Sequence, residues 1–252
     1  WVGKLTRKKS FIYRHAHKTK LYKRFANDLF PDLVVKNGPF SGMKYPKLES
    51  AGSAFLPKLL GSYEKELEPI FNKIIQDDFT DIIDTGCAEG YYAVGLAMKK
   101  PSVKVKAFDT DPKAQELCKE MAQLNGVADR VYVNGTLTPE SLMNMEFKGK
   151  ALVISDCEGY EKNLFTKEVA QKLKNHHLLI EVHDIIDLEI SETLRKNFAE
   201  THNIEVITST DDLEKMRSYN FKELSKYSKS EKLFILQEAR GHIMEWFYAT
   251  PK

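Results

Sequence analysis

The chain has 252 residues, 42% of them hydrophobic and 29% charged, enough for one good-sized α/β domain with an appendage but not for two full domains. No run approaches the roughly eighteen apolar residues of a bilayer span, and no signal-peptide apolar region is visible. Cys87, Cys118 and Cys157 are scattered without CxxC spacing, which argues against a disulfide framework or a zinc site and for a reducing, cytoplasmic compartment.

The net charge of +2 conceals an asymmetry. Residues 1–24 carry nine Lys or Arg and no acid, leaving 29 basic against 36 acidic groups elsewhere, a net of −7. The sequence starts at Trp1 rather than Met, as a trimmed or processed piece would. Residues 1–30 read as a basic, helical arm in which Phe11, Ile12, Leu21, Tyr22 and Phe25 interleave with the charges. Such an arm suits an anionic membrane face, through residues 1–25, or nucleic acid. Its aromatics could equally pack on the domain while its lysines stay solvated.

Residues 31–76 read as an extension that packs on the core. Leu33–Lys36 and Phe40–Tyr45 are expected to pair as an edge hairpin around Asn37-Gly38, with Pro39 restricting it to an edge. Gly61-Ser-Tyr-Glu64 could close over a ligand, but Ser62 as a helix N-cap is the reading adopted. Leu67, Ile70, Phe71, Ile74 and Ile75 recur at helical spacing.

Residues 77–252 carry the α/β alternation. Asp81–Tyr92, DIIDTGCAEGYY, reads as a buried strand, a glycine loop and a helix. Its Gly86-x-x-x-Gly90 loop matches neither the dinucleotide pattern nor a Walker loop. It also carries Asp84 and Glu89, acids that would repel a pyrophosphate but tolerate the ammonium and sulfonium of S-adenosylmethionine. The second strand, Val103–Phe108, ends in Asp109, close to the spacing at which an acid meets ribose hydroxyls. Asp84 and Asp109 could alternatively be no more than strand-end caps.

Asp111-Pro112 opens a helix with Leu117, Met121 and Leu124 on one face, closed by Asn125-Gly126. Strands follow at 131–133, 151–154, 178–182 and 204–207, with a helix over Ile190, Leu194 and Phe198. This alternation predicts a parallel, doubly wound sheet. Residues 211–229 are polar, as a mobile lid would be. A capping box, Ser228-x-x-Glu231, starts a helix at 229–239, and 243–248 supplies a last strand, antiparallel at the sheet edge.

The chemistry concentrates after the fourth and fifth strands, in Ser155-Asp-Cys-Glu-Gly-Tyr-Glu161 and Glu181-Val-His-Asp184. Together DTGCAEGYYA, AFDTDP, ISDCEGYEKNLF and LLIEVHD resemble the FkbM-type branch of the class I S-adenosylmethionine-dependent methyltransferases, over about residues 80–210. The resemblance departs from that family at Asp109 in FDTDP, where the family more often has Glu-Pro. It implies a Rossmann-like, doubly wound, mostly parallel seven-stranded α/β sheet of the class I methyltransferase type, with the N-terminal helical and hairpin extension added. It also implies that Asp84, Gly86 and Gly90, with Cys87, Ala88, Glu89 and Tyr91 of the same loop, hold the methionine part of the cofactor. Asp109 and Thr110 would meet the ribose, Gly135 and Thr136 the adenine, and Asp156 the methyl group. Many members methylate hydroxyls of sugars, glycans or natural-product precursors, so a saccharide or related small-molecule acceptor is expected.

Methyl transfer to a hydroxyl needs a group to take its proton. His183 is the first candidate and Glu158 the second, beside Asp156. Asp156, Glu181 and His183 could instead bind Mg or Mn. Glu161 is a candidate for orienting the substrate, although a first-turn helix acid has an ordinary structural use. Arg240 is a further substrate candidate; Trp246 reads as core. An RNA methyltransferase using the arm is less favoured, because the fourth strand lacks the Asn/Asp-Pro-Pro-aromatic pattern. A non-catalytic methyltransferase-fold partner is disfavoured by the intact glycine loop.

Overall fold

The computed structural model describes residues 20–51 and 53–252. The basic stretch before residue 20, with its expected membrane or nucleic-acid role, lies outside the described residues. Five strands pair in parallel: β1 (Asp81–Thr85), β2 (Lys104–Phe108), β3 (Val131–Asn134), β4 (Ala151–Ser155) and β5 (His177–Val182). Two more, β6 (His202–Thr208) and β7 (Glu245–Pro251), complete a sheet of order β3-β2-β1-β4-β5-β7-β6. β1 and β4 are buried throughout, as strands covered by helices on both sides must be. Apolar runs such as Ile82-Ile83 and Leu152-Val-Ile154 are the sequence counterpart of that burial.

The last strand corrects one expectation. β7 is antiparallel but is not at the edge: it inserts between β5 and β6, bonding to both. Its Trp246 is fully buried and pairs across from Glu181, so the insertion fixes the end of β5 from which the site is built.

Helices cover both faces. They are α1 (20–29), α2 (Phe55–Leu60), α3 (Glu68–Gln76), α4 (Tyr91–Lys99), α5 (Pro112–Leu124) and α6 (Pro139–Met143) in the first half. In the second half are α7 (Glu161–Leu164), α8 (Lys167–Lys172), α9 (Ile190–Phe198), α10 (Asp212–Ser218) and α11 (Lys229–Leu236). Asp111 caps α5 by accepting from the Lys113 backbone amide, and Ser228 and Glu231 form the capping box of α11. Leu117 and Met121 on one face of α5 are buried, while Leu124, its last residue, is 45% exposed.

The extension differs more from its reading. The expected hairpin is reduced to a single antiparallel bridge, Val34 to Lys44, because Phe40 leaves the turn to enter the core. Phe40 meets Phe71, Tyr91 and Tyr92 edge-on at 5.2, 5.2 and 6.1 Å, and a Cβ on Gly95 of α4 would fall 2.5 Å from its ring. Ser62 does not cap a helix. It follows α2, which ends at Gly61 (φ 80°), and its hydroxyl reaches back to the Pro57 carbonyl. A Cβ at Gly61 would meet the Asn37 carbonyl oxygen at 2.0 Å, so the chain can pass there only as glycine.

Residues 211–229, expected as a lid, fold into α10 and a 3-10 turn, with Lys215, Leu224 and Tyr227 buried. The described part of the arm also packs on the domain. Phe25 is fully buried against Tyr227 and Phe234, and Arg24 pairs with Glu231. One continuous apolar core therefore runs from Phe25 through the extension to Trp246. Phe40→Ala should destabilise the protein by about 3–5 kcal/mol in urea unfolding, as aromatic truncation in a packed core does; a loss under about 1 kcal/mol would mean that the extension is not part of the cooperative core.

Candidate active site

The carboxyl ends of β1, β2, β4 and β5 open onto one cavity of about 750 Å³, within the range of a small-molecule site. Its first half is the loop after β1. Gly86 is left-handed (φ 79°), and a Cβ there would lie 1.6 Å from the Asp156 carbonyl oxygen, so the loops after β1 and β4 touch backbone to backbone. Ala88 is also left-handed (φ 48°) and donates its amide to Asp109 Oδ2 at 2.8 Å. Asp109 Oδ1 accepts from the Asp111 amide at 2.9 Å. One carboxylate at the end of β2 thus sets the shape of both neighbouring loops while still lining the cavity. Thr110, Gly135 and Thr136 continue that wall, and Cys87 and Tyr91 lie on the β1 side.

The second half comes from the loops after β4 and β5. His183 is 4% exposed. Its Nδ1 lies 2.7 Å from Oε1 of Glu161, a carboxylate with no exposure at the start of α7. That contact turns Nε2 toward the cavity, 3.5 Å from Asp156 Oδ1, 3.6 Å from Glu158 Oε2 and 4.0 Å from Glu181 Oε2. Burial works to lower the His183 pKa, but the Glu161 hydrogen bond and the surrounding carboxylates hold it above the ordinary value. Asp156 is pushed well above the usual carboxylate range by burial and by the charges of Glu181 and Glu64. Glu158 is left-handed (φ 52°) and is followed by left-handed Gly159, a turn that brings an exposed carboxylate back over His183.

The remaining charges are committed to one another. Arg240 lines the cavity but pairs with Glu64, Glu181 and Glu238, and buried Lys215 also pairs with Glu238. Glu64 in turn accepts from the Tyr92 hydroxyl. On the opposite wall, Lys58 and Glu89 form an ion pair of 2.6 Å at 3% and 1% exposure. Glu89 also accepts from Tyr45, Ser50 and the Ala51 amide.

Several expected residues are therefore not at the cavity surface. Glu89 lies behind the wall, held by Lys58. Asp84 is 2% exposed beneath the β1 loop, where burial raises its pKa to about 7. Gly90 (φ 93°) is the N-cap of α4, with the Cys118 sulfur 2.8 Å from where its Cβ would stand. Glu161, expected at the substrate, is instead the buried partner of His183. Glu181, expected with Asp156 and His183 as a metal ligand, is engaged by Arg240, and Glu158 takes its place in the group of three facing donors. Lys58, Tyr63, Glu64 and Glu238 were not anticipated. The one available signal was the lone lysine in the apolar run FLPKLL, a cation that cannot enter a core without an acid.

No protein-family model matches the chain. It is similar over 67 residues, at 43% identity, to a ribosomal protein L11 methyltransferase of Acinetobacter baumannii; the match spans 27% of this chain and about a fifth (21%) of that protein's length. Among solved structures it is similar to a precorrin-6y C5,15-methyltransferase from Geobacter metallireducens GS-15, with TM-score 0.51 and 11% identity over 73% of this chain and 89% of that one. A geranyl diphosphate C-methyltransferase from Streptomyces coelicolor A3(2) superposes with TM-score 0.45 and 12% identity, covering 77% of this chain and 78% of that one. At 11% identity the first structural likeness establishes the fold alone: a mostly parallel seven-stranded α/β sheet with helices on both faces, shared with that methyltransferase structure.

The buried Lys58–Glu89 pair gives a sharp expectation. Lys58→Met strands a buried carboxylate and should cost about 3–5 kcal/mol in urea unfolding, most of it recovered in Lys58→Met/Glu89→Leu. Burial raises the Glu89 pKa, but Lys58 and its hydrogen bonds outweigh this and hold it below the ordinary value. Its contribution is therefore present above the unfolded carboxyl value and lost as pH falls through the lower folded one. The stability gap between wild type and Glu89→Gln should shrink in that acid window; a gap independent of pH would contradict the pairing.

Proposed function

We propose that this chain is an S-adenosylmethionine-dependent methyltransferase that methylates a hydroxyl of a saccharide, glycan or related small-molecule precursor. The observation that carries this reading is the meeting, on one cavity, of the Gly86–Asp109 wall with the Asp156–Glu158–His183 corner. The first wall offers a close backbone approach and a ribose-binding carboxylate. The second offers an imidazole held in one orientation by Glu161, next to two carboxylates that can bind sugar hydroxyls.

The charge balance favours this cofactor over a dinucleotide. Asp109, Asp156, Glu158 and Glu181 line the cavity, while its two nearby cations, Lys58 and Arg240, are held by Glu89 and by three carboxylates. Such a surface repels a pyrophosphate and favours a sulfonium. In the proposed reaction the acceptor oxygen attacks the methyl carbon in line with sulfur. The carbon–oxygen bond forms as the carbon–sulfur bond breaks, and sulfur keeps the electron pair as S-adenosylhomocysteine leaves. The hydroxyl proton is taken up at the Asp156–Glu158–His183 corner. A neutral hydroxyl is a poor nucleophile, and uptake of its proton at this corner is what its attack on the methyl carbon requires.

The fold likeness and the short match to a ribosomal protein methyltransferase support methyl transfer as the reaction class. What supports the acceptor class is the sequence resemblance, together with a polar cavity that Tyr63 and Tyr160 also line.

Two variants separate the roles. Asp109→Asn should weaken S-adenosylmethionine binding about ten- to a hundred-fold in calorimetry, as loss of charged hydrogen bonds does. His183→Gln, which still offers Glu161 a donor, should bind the cofactor within about two-fold of wild type. It should turn over a glycan acceptor about 10²- to 10⁴-fold more slowly. Equal loss of binding in both variants would contradict this division of labour.

A further inference from the structure

We infer that the Asp156–Glu158–His183 corner is a divalent-cation site of the Mn or Mg type. The inference deepens the methyltransferase reading and depends on it only for what the ion does, since the donors stand on geometry alone. Asp156, Glu158 and His183 each present one ligand atom, and the three lie within 4.8 Å of one another. In an octahedral site with bonds of about 2.1 Å, adjacent ligands sit about 3 Å apart. His183 Nε2 is already 3.5 Å from Asp156 Oδ1 and 3.6 Å from Glu158 Oε2. Those two edges need to close by only about 0.5 Å each, while the Asp156 and Glu158 oxygens, within 4.8 Å of one another, need up to about 1.8 Å to complete one triangular face, and the Glu158 side chain, 80% exposed, is free to make that movement.

Two further observations point to a ligand. Asp156 Oδ1 is buried and has no hydrogen-bond partner, an arrangement that costs about 1–3 kcal/mol unless something occupies the position it faces. His183 is itself almost fully buried, and its Nδ1 contact with Glu161 is the outer-shell arrangement that fixes a metal-binding imidazole and strengthens it as a donor. Arg240 draws Glu181 away from the triad and neutralises part of the surrounding charge, so three donors remain facing the cavity. One imidazole and two carboxylates, with the other coordination positions open to water and acceptor, suit Mn or Mg better than the thiolate-rich sites of zinc. With the ion bound, its positive charge beside the acceptor oxygen would make the hydroxyl more acidic, and the proton would pass to water in place of the direct uptake at this corner described for the metal-free site.

The test is titration of Mn²⁺ alone into the purified full chain, following free Mn²⁺ by electron paramagnetic resonance. One saturable site is expected, displaced by Mg²⁺. Glu158→Gln and Asp156→Asn should each weaken it at least ten-fold. Glu161→Gln, which touches no ion, should weaken it about 10–100-fold through His183. Thermal melting checks that each variant is folded, and exposed Glu158 decides the matter if Asp156→Asn is not. No saturable binding by wild type, or wild-type affinity in Glu158→Gln, would overturn the site. A parallel S-adenosylmethionine titration keeps the two readings apart: cofactor bound without Mn²⁺ removes only the metal site, whereas Mn²⁺ bound without cofactor removes the methyltransferase reading.

Discussion

No side chain can stand between the loop after β1 and the loop after β4. A Cβ on Gly86 would fall 1.6 Å from the Asp156 carbonyl oxygen, so the two loops are in contact through their backbones, and everything else at the carboxyl edge is arranged around that approach. On one side, Ala88 is pinned to Asp109, which links the loops after β1 and β2. On the other, Asp156 begins the turn that carries Glu158 back over His183. Because parallel strands project their following loops to the same edge, two short turns bring the Gly86–Asp109 wall and the Asp156–Glu158–His183 corner within one small cavity.

The same edge concentrates negative charge, and the fold manages it by commitment rather than by exposure. Lys58, Lys215 and Arg240 are each set against buried carboxylates. A buried pair of this kind gives little net stability, since desolvation offsets the attraction, but removing one partner is costly. Its clearest consequence is positional. Arg240 joins the loop before β7 to Glu181 on β5 and to Glu64 in the extension, while Lys58 ties α2 to Glu89 ahead of α4. The extension is thus bonded to the rim of the site as well as sharing its apolar core.

Much of this was legible in the sequence, for a definable reason. Strands buried on both faces are mostly apolar, so β1, β4 and β5 stand out as runs, and Gly86 and Gly159 mark the turns that follow β1 and β4. Asp156, Glu158 and His183 could be placed at one edge because they directly follow such strands. The Glu161–His183 contact could not, since the two are twenty-two residues apart and meet only because β4 and β5 are neighbours. Periodicity also carries no information about strand order, which is why β7 was expected at the edge and lies inside the sheet. α2 escaped because six residues containing Pro57 and Lys58 make a weak helical pattern, and its buried lysine makes sense only once Glu89 is seen beside it. Glu89 itself looked like a cofactor contact because its position in the glycine loop is informative and the direction of its side chain is not.

The most direct measurement is a calorimetric titration of the purified chain with S-adenosylmethionine and, separately, with NAD. The charge arrangement at the Gly86–Asp109 wall predicts saturable binding of S-adenosylmethionine and none of NAD. Binding of NAD in preference, or of neither ligand, would contradict the reading of this cavity as a methyl-donor site.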